Sequence, residues 1–170
     1  MSTVHRLATS HRCVRAQQIP DRPGFAAHFR MFCMATAGRE IKDQGLLVGA
    51  LCEHIQTHLA GLDRLERCGY RFANRVVTLL STPARRYIAQ RIADSLPWIA
   101  FVHEPLTQAY YSAGLRFMVN ASNEQDVVVP LIDGGAFDWV AQLTANRKLV
   151  FVTSAIGSQL AAYLYRATCK

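Results

Sequence analysis

An apolar, strand-like run opens the folded part of the chain and then gives way to a helical period. "FAAHFRMFCMATAG" (Phe25–Gly38) is rich in aromatic and sulfur side chains and reads as a buried strand, with a short helix as the other reading of so apolar a run. From Asp43 to Arg67 the repeat lengthens. Leu47, Leu51, Ile55, Leu62 and Leu65 fall on one side at 100° per residue, and Gly69 stands where such a helix stops. "RVVTLLST" (75–82) is a strand ended by Pro83, and Pro83 itself sits at a natural first helical position for 83–96, where Tyr87, Ile88 and Ile92 form the apolar set. Strands follow at 98–104, at 113–121 with Leu115, Phe117 and Val119 facing one way, and at 127–133. A helix is expected after Asp133, over "FDWVAQLTA" (137–145). "KLVFVTS" (148–154) is the last strand, and 158–167 a closing helix with Ser158 as cap and Leu160, Tyr163 and Leu164 inward.

The order is strand, helix, strand, helix, three strands, short helix, strand, helix. Consecutive strands favour hairpins, so the expected fold class is α+β, a mostly antiparallel sheet flanked by helices, in a single domain over residues 25–170. Residues 1–24 form a basic N-terminal arm, a candidate for disorder, that ends in the turn-forming "PDRPG" (Pro20–Gly24). The arm also lacks acid near its start, mixing Arg with Ser and Thr as organelle presequences do, so a targeting segment is its other reading.

Composition narrows the class. The chain has 170 residues, half of them hydrophobic and 18% charged, enough to bury a core without staples. No apolar run approaches the ~20 residues of a membrane helix. The net charge of +7 is uneven: residues 1–40 carry six Arg against Asp21 and Glu40, while residues 101–170 balance. A basic first half can attract nucleic acid, although its arginines are dispersed as on a solvated face. Five cysteines without a CxxC pair read as reduced thiols in the cytoplasm.

Candidate chemistry is sparse. His54 and His58 stand four apart on one helical face, but zinc needs further ligands; His58 reads as a hydrogen-bonded core residue with His54 at the edge, and no metal is expected. Asp133 and Asp138 flank the glycine pair Gly134–Gly135, and Glu104 follows His103 at a strand end. A Cys–His nucleophile pair through Cys33 or Cys52 finds no support in the spacing. No P-loop or dinucleotide fingerprint exists, and no cofactor is implied.

Several stretches, taken in order, resemble one family. "LTQAYYSAGLRFMV" (106–119) resembles the histidyl-tRNA synthetase segment in which a tyrosine pair precedes Thr-Gly and a strand, and "GGAFD" (134–138) that family's Gly-Gly-Arg-Tyr-Asp turn. "FVTSAIGSQLAAYL" (151–164) resembles the third class II motif, and "AHFRMFCMATAG" (27–38) the strand of the second. The resemblance spans residues 25–165 and extends to the regulatory subunit of ATP phosphoribosyltransferase, a synthetase relative without aminoacylation. It implies a ligand pocket at Tyr110, Tyr111, Gly134, Gly135 and Asp138, with Glu104 nearby. The tyrosines would offer a ring wall and a phenol, the glycines close backbone approach, and Asp138 a partner for an amine or imidazole. Departures are as informative. The family's substrate- and ATP-contacting arginines fall at Leu106, Ala136 and near Gln159, its tyrosine at Phe137, and its second-motif Gln and Glu at Met31 and Ala35. Adenylation needs cationic clamps on a phosphoryl group. The first class II motif is also missing, and the chain is about half the family's length.

The resulting expectation is a non-catalytic regulatory or ligand-binding module that senses an amino acid or nucleotide, or completes a homo- or hetero-oligomer, with no membrane partner. Two rivals stand beside it. One is an enzyme with residual ligase or transferase chemistry at His103, Glu104, Asp133 and Asp138. The other is an RNA-binding domain using the basic half.

Overall fold

The computed structural model describes residues 3–19, 21 and 25–167. Seven strands form one sheet: β1 (Val4–Val14), β2 (His28–Arg39), β3 (Ala73–Ser81), β4 (Phe101–Pro105), β5 (Leu115–Ser122), β6 (Val128–Phe137) and β7 (Leu149–Ile156), in the spatial order β1-β2-β7-β6-β5-β3-β4. Four α-helices accompany them: α1 (Gly45–Glu66), α2 (Arg86–Ser95), α3 (Trp139–Leu143) and α4 (Ser158–Leu164). Every neighbouring pair is antiparallel except β3 and β4. The protein is therefore α+β with a mostly antiparallel sheet. From β2 onward its elements follow the order that periodicity predicts.

The register sets two unlike faces. Phe117, Val119, Ile132, Ala136, Val152 and Ile156 share the face that α1 covers with Leu47, Leu51, Ile55 and Leu62, and these residues form the core. Ile88, Ala89 and Ile92 bring α2 to the same layer, and Ala161 brings α4. The opposite face carries no long helix among the described residues. The loop Leu106–Gly114 and α3 cross it only where β6 ends, which leaves Cys33, Ala35, Met118, Asn120, Thr153 and Ala155 half-exposed.

Several expectations change. The arm is not free of structure: Val4–Val14 pair antiparallel with His28–Gly38 of β2 along their whole length, so β1 is the sheet's edge, held by backbone ladder bonds that an exposed polar sequence can still make. The expected turn at Pro20–Gly24 lies, apart from Asp21, outside the described residues. β4 makes no hairpin with β5. It returns through α2 to lie parallel to β3, because a helix between two strands permits a crossover. β6 does not close at its glycine pair but continues to Phe137, and the next helix starts only at Trp139. Gly157, not Ser158, caps α4, without a side-chain bond. Tyr163 and Tyr87 point outward, where a phenol meets water, and their inward places are taken by Ala161 and Tyr165 and by Ala89. Gly69 does end α1, at φ +87°.

His54 is as buried as His58, 2% and 3% exposed. Its Nδ1 lies 2.8 Å from Ser154 Oγ and its Nε2 3.0 Å from Thr36 Oγ1, while His58 Nε2 lies 2.9 Å from the same serine oxygen. The polar residues of β2 and β7 thus meet the two helical histidines inside the core, which explains a sequence position at the stripe's edge being fully covered. Burial lowers both imidazole pKa values to about 4, so both rings are neutral.

Candidate ligand-binding site

The end of the sheet where β6 finishes and β7 begins is a cleft of about 800 Å³, walled by the starts of α1 and β7, the end of β6, and α3. Two carboxylates reach it from different elements. Glu40 follows β2, and its Oε1 accepts the N–H groups of Ile41 (2.9 Å) and Leu46 (2.8 Å), so it secures the entry into α1. Its Oε2 is buried without a hydrogen-bond partner. Asp138 follows β6; its N–H donates to Ser112 Oγ (3.1 Å) and its Oδ2 accepts from Gln142 Nε2 (2.7 Å). Its Oδ1 is likewise buried without a bonded partner, and the Ser112 hydroxyl and Gln142 amide beside it hold its pKa below the usual carboxylate value. Among the described residues only three buried side-chain oxygens or nitrogens lack a partner, and two of them belong to residues that line this cleft.

Two cations line the same space. Arg85 precedes α2 and Arg147 lies in the turn before β7, and neither makes an ion pair among the described residues. The backbone around the cleft is strained: Gln44 (φ +56°) and Ala145 (φ +52°) line it in the left-handed region, and Asp43 (φ +59°) precedes Gln44. Arg91 Nη1 donates to the Asp43 carbonyl and braces that turn.

Beside the cleft lies an aromatic cluster. Tyr110, 63% exposed, sets its ring edge-on to Tyr111 (5.2 Å), Phe137 (5.4 Å) and Trp139 (5.9 Å). Tyr111 is buried, with Arg116 over its ring at 5.0 Å. Arg116 donates from Nε and Nη2 to the two oxygens of Asp133, both at 2.9 Å, and from Nη1 to Gln108 Oε1 at 2.8 Å. That cation is fully engaged. Desolvation and the Asp133 carboxylate push the Tyr111 phenol well above its ordinary value, so it stays protonated.

The predicted residues divide. Tyr110, Tyr111, Gly135 and Asp138 come together around Phe137 and Ser112. Gly134 faces the helical layer instead, where an added Cβ would meet Ser154 Cβ at 2.4 Å and the Phe117 ring at 2.7 Å. At Gly135 it would meet the Leu115 carbonyl and the Tyr111 ring, both at 2.4 Å. The space over both glycines is filled by protein. Glu104 stands apart on the exposed edge strand β4, opposite Leu80. Glu40, Arg85, Arg147 and Gln142 escaped the sequence reading, since no motif spacing links residues brought together from four elements. The one available signal was Glu40, an acid just ahead of an apolar helical repeat.

Compared with solved structures, the chain is similar to apo histidyl-tRNA synthetase of S. aureus (TM-score 0.62, 12% identity, 93% of this chain and 43% of that one). It is similar to the putative threonyl-tRNA synthetase ThrRS-1 of Aeropyrum pernix (TM-score 0.54, 15% identity, 81% and 36%). It also resembles the RNA-binding domain of threonyl-tRNA synthetase from Cryptosporidium parvum Iowa II (TM-score 0.67, 11% identity, 94% and 43%). The chain spans less than half the length of each. No protein-family model and no curated protein matches it in sequence. At these identities the likeness is one of fold, and the fold is class II synthetase-like.

Proposed function

We propose that this synthetase-like domain is a ligand-binding module without aminoacylation chemistry, and that its ligand is a small zwitterion of the amino-acid class held in the 800 Å³ cleft. The observation that carries the reading is that the residues lining one space bring together two carboxylates, each with a partnerless oxygen, and two guanidinium groups without an ion pair among the described residues. An α-ammonium supplies donors to Glu40 Oε2 and Asp138 Oδ1, and an α-carboxylate matches the fork of Arg85 or Arg147. Buried acceptors left unfilled cost about 1–3 kcal/mol each, so a ligand that fills them is favoured by that amount. The lack of ligase chemistry is supported by Arg116, whose charge is spent on Asp133, and by Leu106 and Ala136 at positions where the resembling family carries arginine. The free state of the four described cysteines supports a reducing compartment, for which this reading assigns the cytoplasm. No helix among the described residues is long and apolar enough to cross a membrane. The outer side of β1, eleven residues long, supports pairing with another subunit.

Thermal shift with the amino acids, their deaminated and decarboxylated analogues, and ATP tests the reading. An amino acid at 100 times its dissociation constant should add about 2.7 kcal/mol, and both truncated analogues should lose the shift. A shift with ATP alone, or with no amino acid, overturns it.

A second reading, RNA binding, is favoured by one observation. Arg12 and Arg30 stand directly opposite each other across β1 and β2, both exposed, a like-charge pair that an anion would relieve. One structural neighbour is itself an RNA-binding domain. Anisotropy with RNA should then show affinity falling steeply with salt, and Arg30→Ala should flatten that slope by about one unit.

A further inference from the structure

A second cavity, of about 340 Å³, opens between α1 and α4, far along α1 from the cleft described above. Its walls are largely apolar, from Phe32, Leu65, Tyr70, Ile156 and Ala161. Gly61 lines it in the interior of a 22-residue helix, and a Cβ there would find no heavy atom within 4 Å. No neighbour excludes a side chain at this position, although glycine is the poorest helix former after proline. Gly61 is exposed, and the space in front of it opens to solvent at the mouth of the cavity.

Arg64 sits on the cavity wall one turn further along α1, exposed and without an ion pair among the described residues. The neighbouring acids do not answer it: Asp63 and Glu66 are both taken by Arg75, at 2.5 and 2.7 Å. His58, which also lines the cavity, is neutral and committed through Nε2 to Ser154. The one formal charge on the lining is positive. A volume near the lower end of the ~300–1,000 Å³ of small-molecule sites suits a single small ligand better than a helix or a loop of a partner.

We propose that this cavity binds a free aliphatic monocarboxylate of medium chain length, its hydrocarbon body against Gly61, Ile156 and Ala161 and its carboxylate on the Arg64 guanidinium. The apolar body accounts for the lining, and the anion for a cation that no acid among the described residues pairs.

Isothermal titration and NMR of the full chain with decanoate, below its micelle concentration, test this, with decanol and decylamine as probes of the head group. Decanoate should bind and perturb the Tyr70 and Phe32 ring signals, and decylamine should bind at least tenfold more weakly. Gly61→Leu fills the open space with a better helix former and should abolish decanoate binding. Gly61→Ala, the control for helix stability, should retain it. Arg64→Ala should weaken decanoate about tenfold and leave decanol unchanged. Decanoate that fails to bind the parent chain, binds Gly61→Leu equally well, or ignores Arg64→Ala overturns the proposal. Circular dichroism of each variant separates these outcomes from misfolding.

Discussion

Two polar regions lie at opposite degrees of completion. Beneath α1, Thr36, His54, Ser154 and His58 form a chain of hydrogen bonds at 2.8–3.0 Å, and none of the four leaves a buried nitrogen or oxygen without a partner. At the end of the sheet, Glu40 and Asp138 each do. Buried polar groups are nearly always matched, so the first region explains itself as structure while the second asks for something from outside. The difference separates a polar core from a binding site where composition cannot, since both hold titratable side chains in largely apolar surroundings.

The histidine chain can be broken by protons, and this is the largest effect expected. A serine hydroxyl has one hydrogen, so it donates to one imidazole and accepts from the other; the ring it donates to must stay neutral, and a proton on that nitrogen breaks the chain. With folded pKa values of about 4 against an ordinary 6.5, the unfolded chain binds protons that the folded chain refuses. Stability should therefore fall as pH drops from about 6.5 to 4 and level off below, by about 3 kcal/mol for each histidine if they act independently. Urea unfolding across that window measures it, and the imidazole signals should not titrate between pH 8 and 5 in the folded state. Next in size, Ser154→Ala strips the shared hydroxyl and leaves His54 Nδ1 and His58 Nε2 facing an apolar methyl, at a cost of about 2–5 kcal/mol. A loss below 1 kcal/mol would mean the network is incidental.

This contrast was only half legible in the sequence. The period of 3.6 placed Leu47, Leu51, Ile55 and Leu62 in the core, and alternation placed Leu115, Phe117 and Val119 there, because each repeat maps directly onto one face. His54 read as an edge residue because helical phase alone does not reveal that Thr36 and Ser154, 18 and 100 residues away, complete its environment. Gly134 and Gly135 read as a turn because paired glycines signal one locally; they lie within β6 because Phe117, Ser154 and Tyr111 need the room. β1 was missed because its side chains are almost all exposed, and a strand held by its backbone ladder leaves little hydrophobic pattern. Asp138 was read from its place beside the glycine pair and again through the resemblance, whereas Glu40, Arg85 and Arg147 converge only in three dimensions.

Arg116 sharpens the comparison from between the two extremes. Its ion pair with Asp133 is fully matched like the histidine chain, yet it lies on the open face, with the carboxylate side chain 43% exposed. Water can replace a lost partner there. Arg116→Ala should cost about 1–2 kcal/mol, part of it the stacking on Tyr111, which is less than Ser154→Ala although a full charge is removed. Urea unfolding of the two variants side by side checks that order, and the reverse order would mean that exposure does not govern the difference.

The smallest stability effect belongs to the cleft, and there it is the functional effect that counts. Glu40→Gln keeps an oxygen to accept the Ile41 and Leu46 N–H groups, so the entry to α1 survives. It loses a negative charge near the start of the helix, worth about 0.3–1 kcal/mol, and relieves a buried anionic oxygen that had no partner. These terms oppose each other, and unfolding should shift by less than about 1 kcal/mol in either direction. Amino-acid binding should fall at least tenfold, because a hydrogen bond to a charged group contributes about 1.5–3 kcal/mol and the neutral amide replaces an ammonium's acceptor with a weaker one. Calorimetric titration of the variant beside its unfolding curve separates the two quantities. Equal losses of stability and affinity would make Glu40 a structural residue, while lost affinity at unchanged stability would make its unpartnered oxygen the place where the ligand is held.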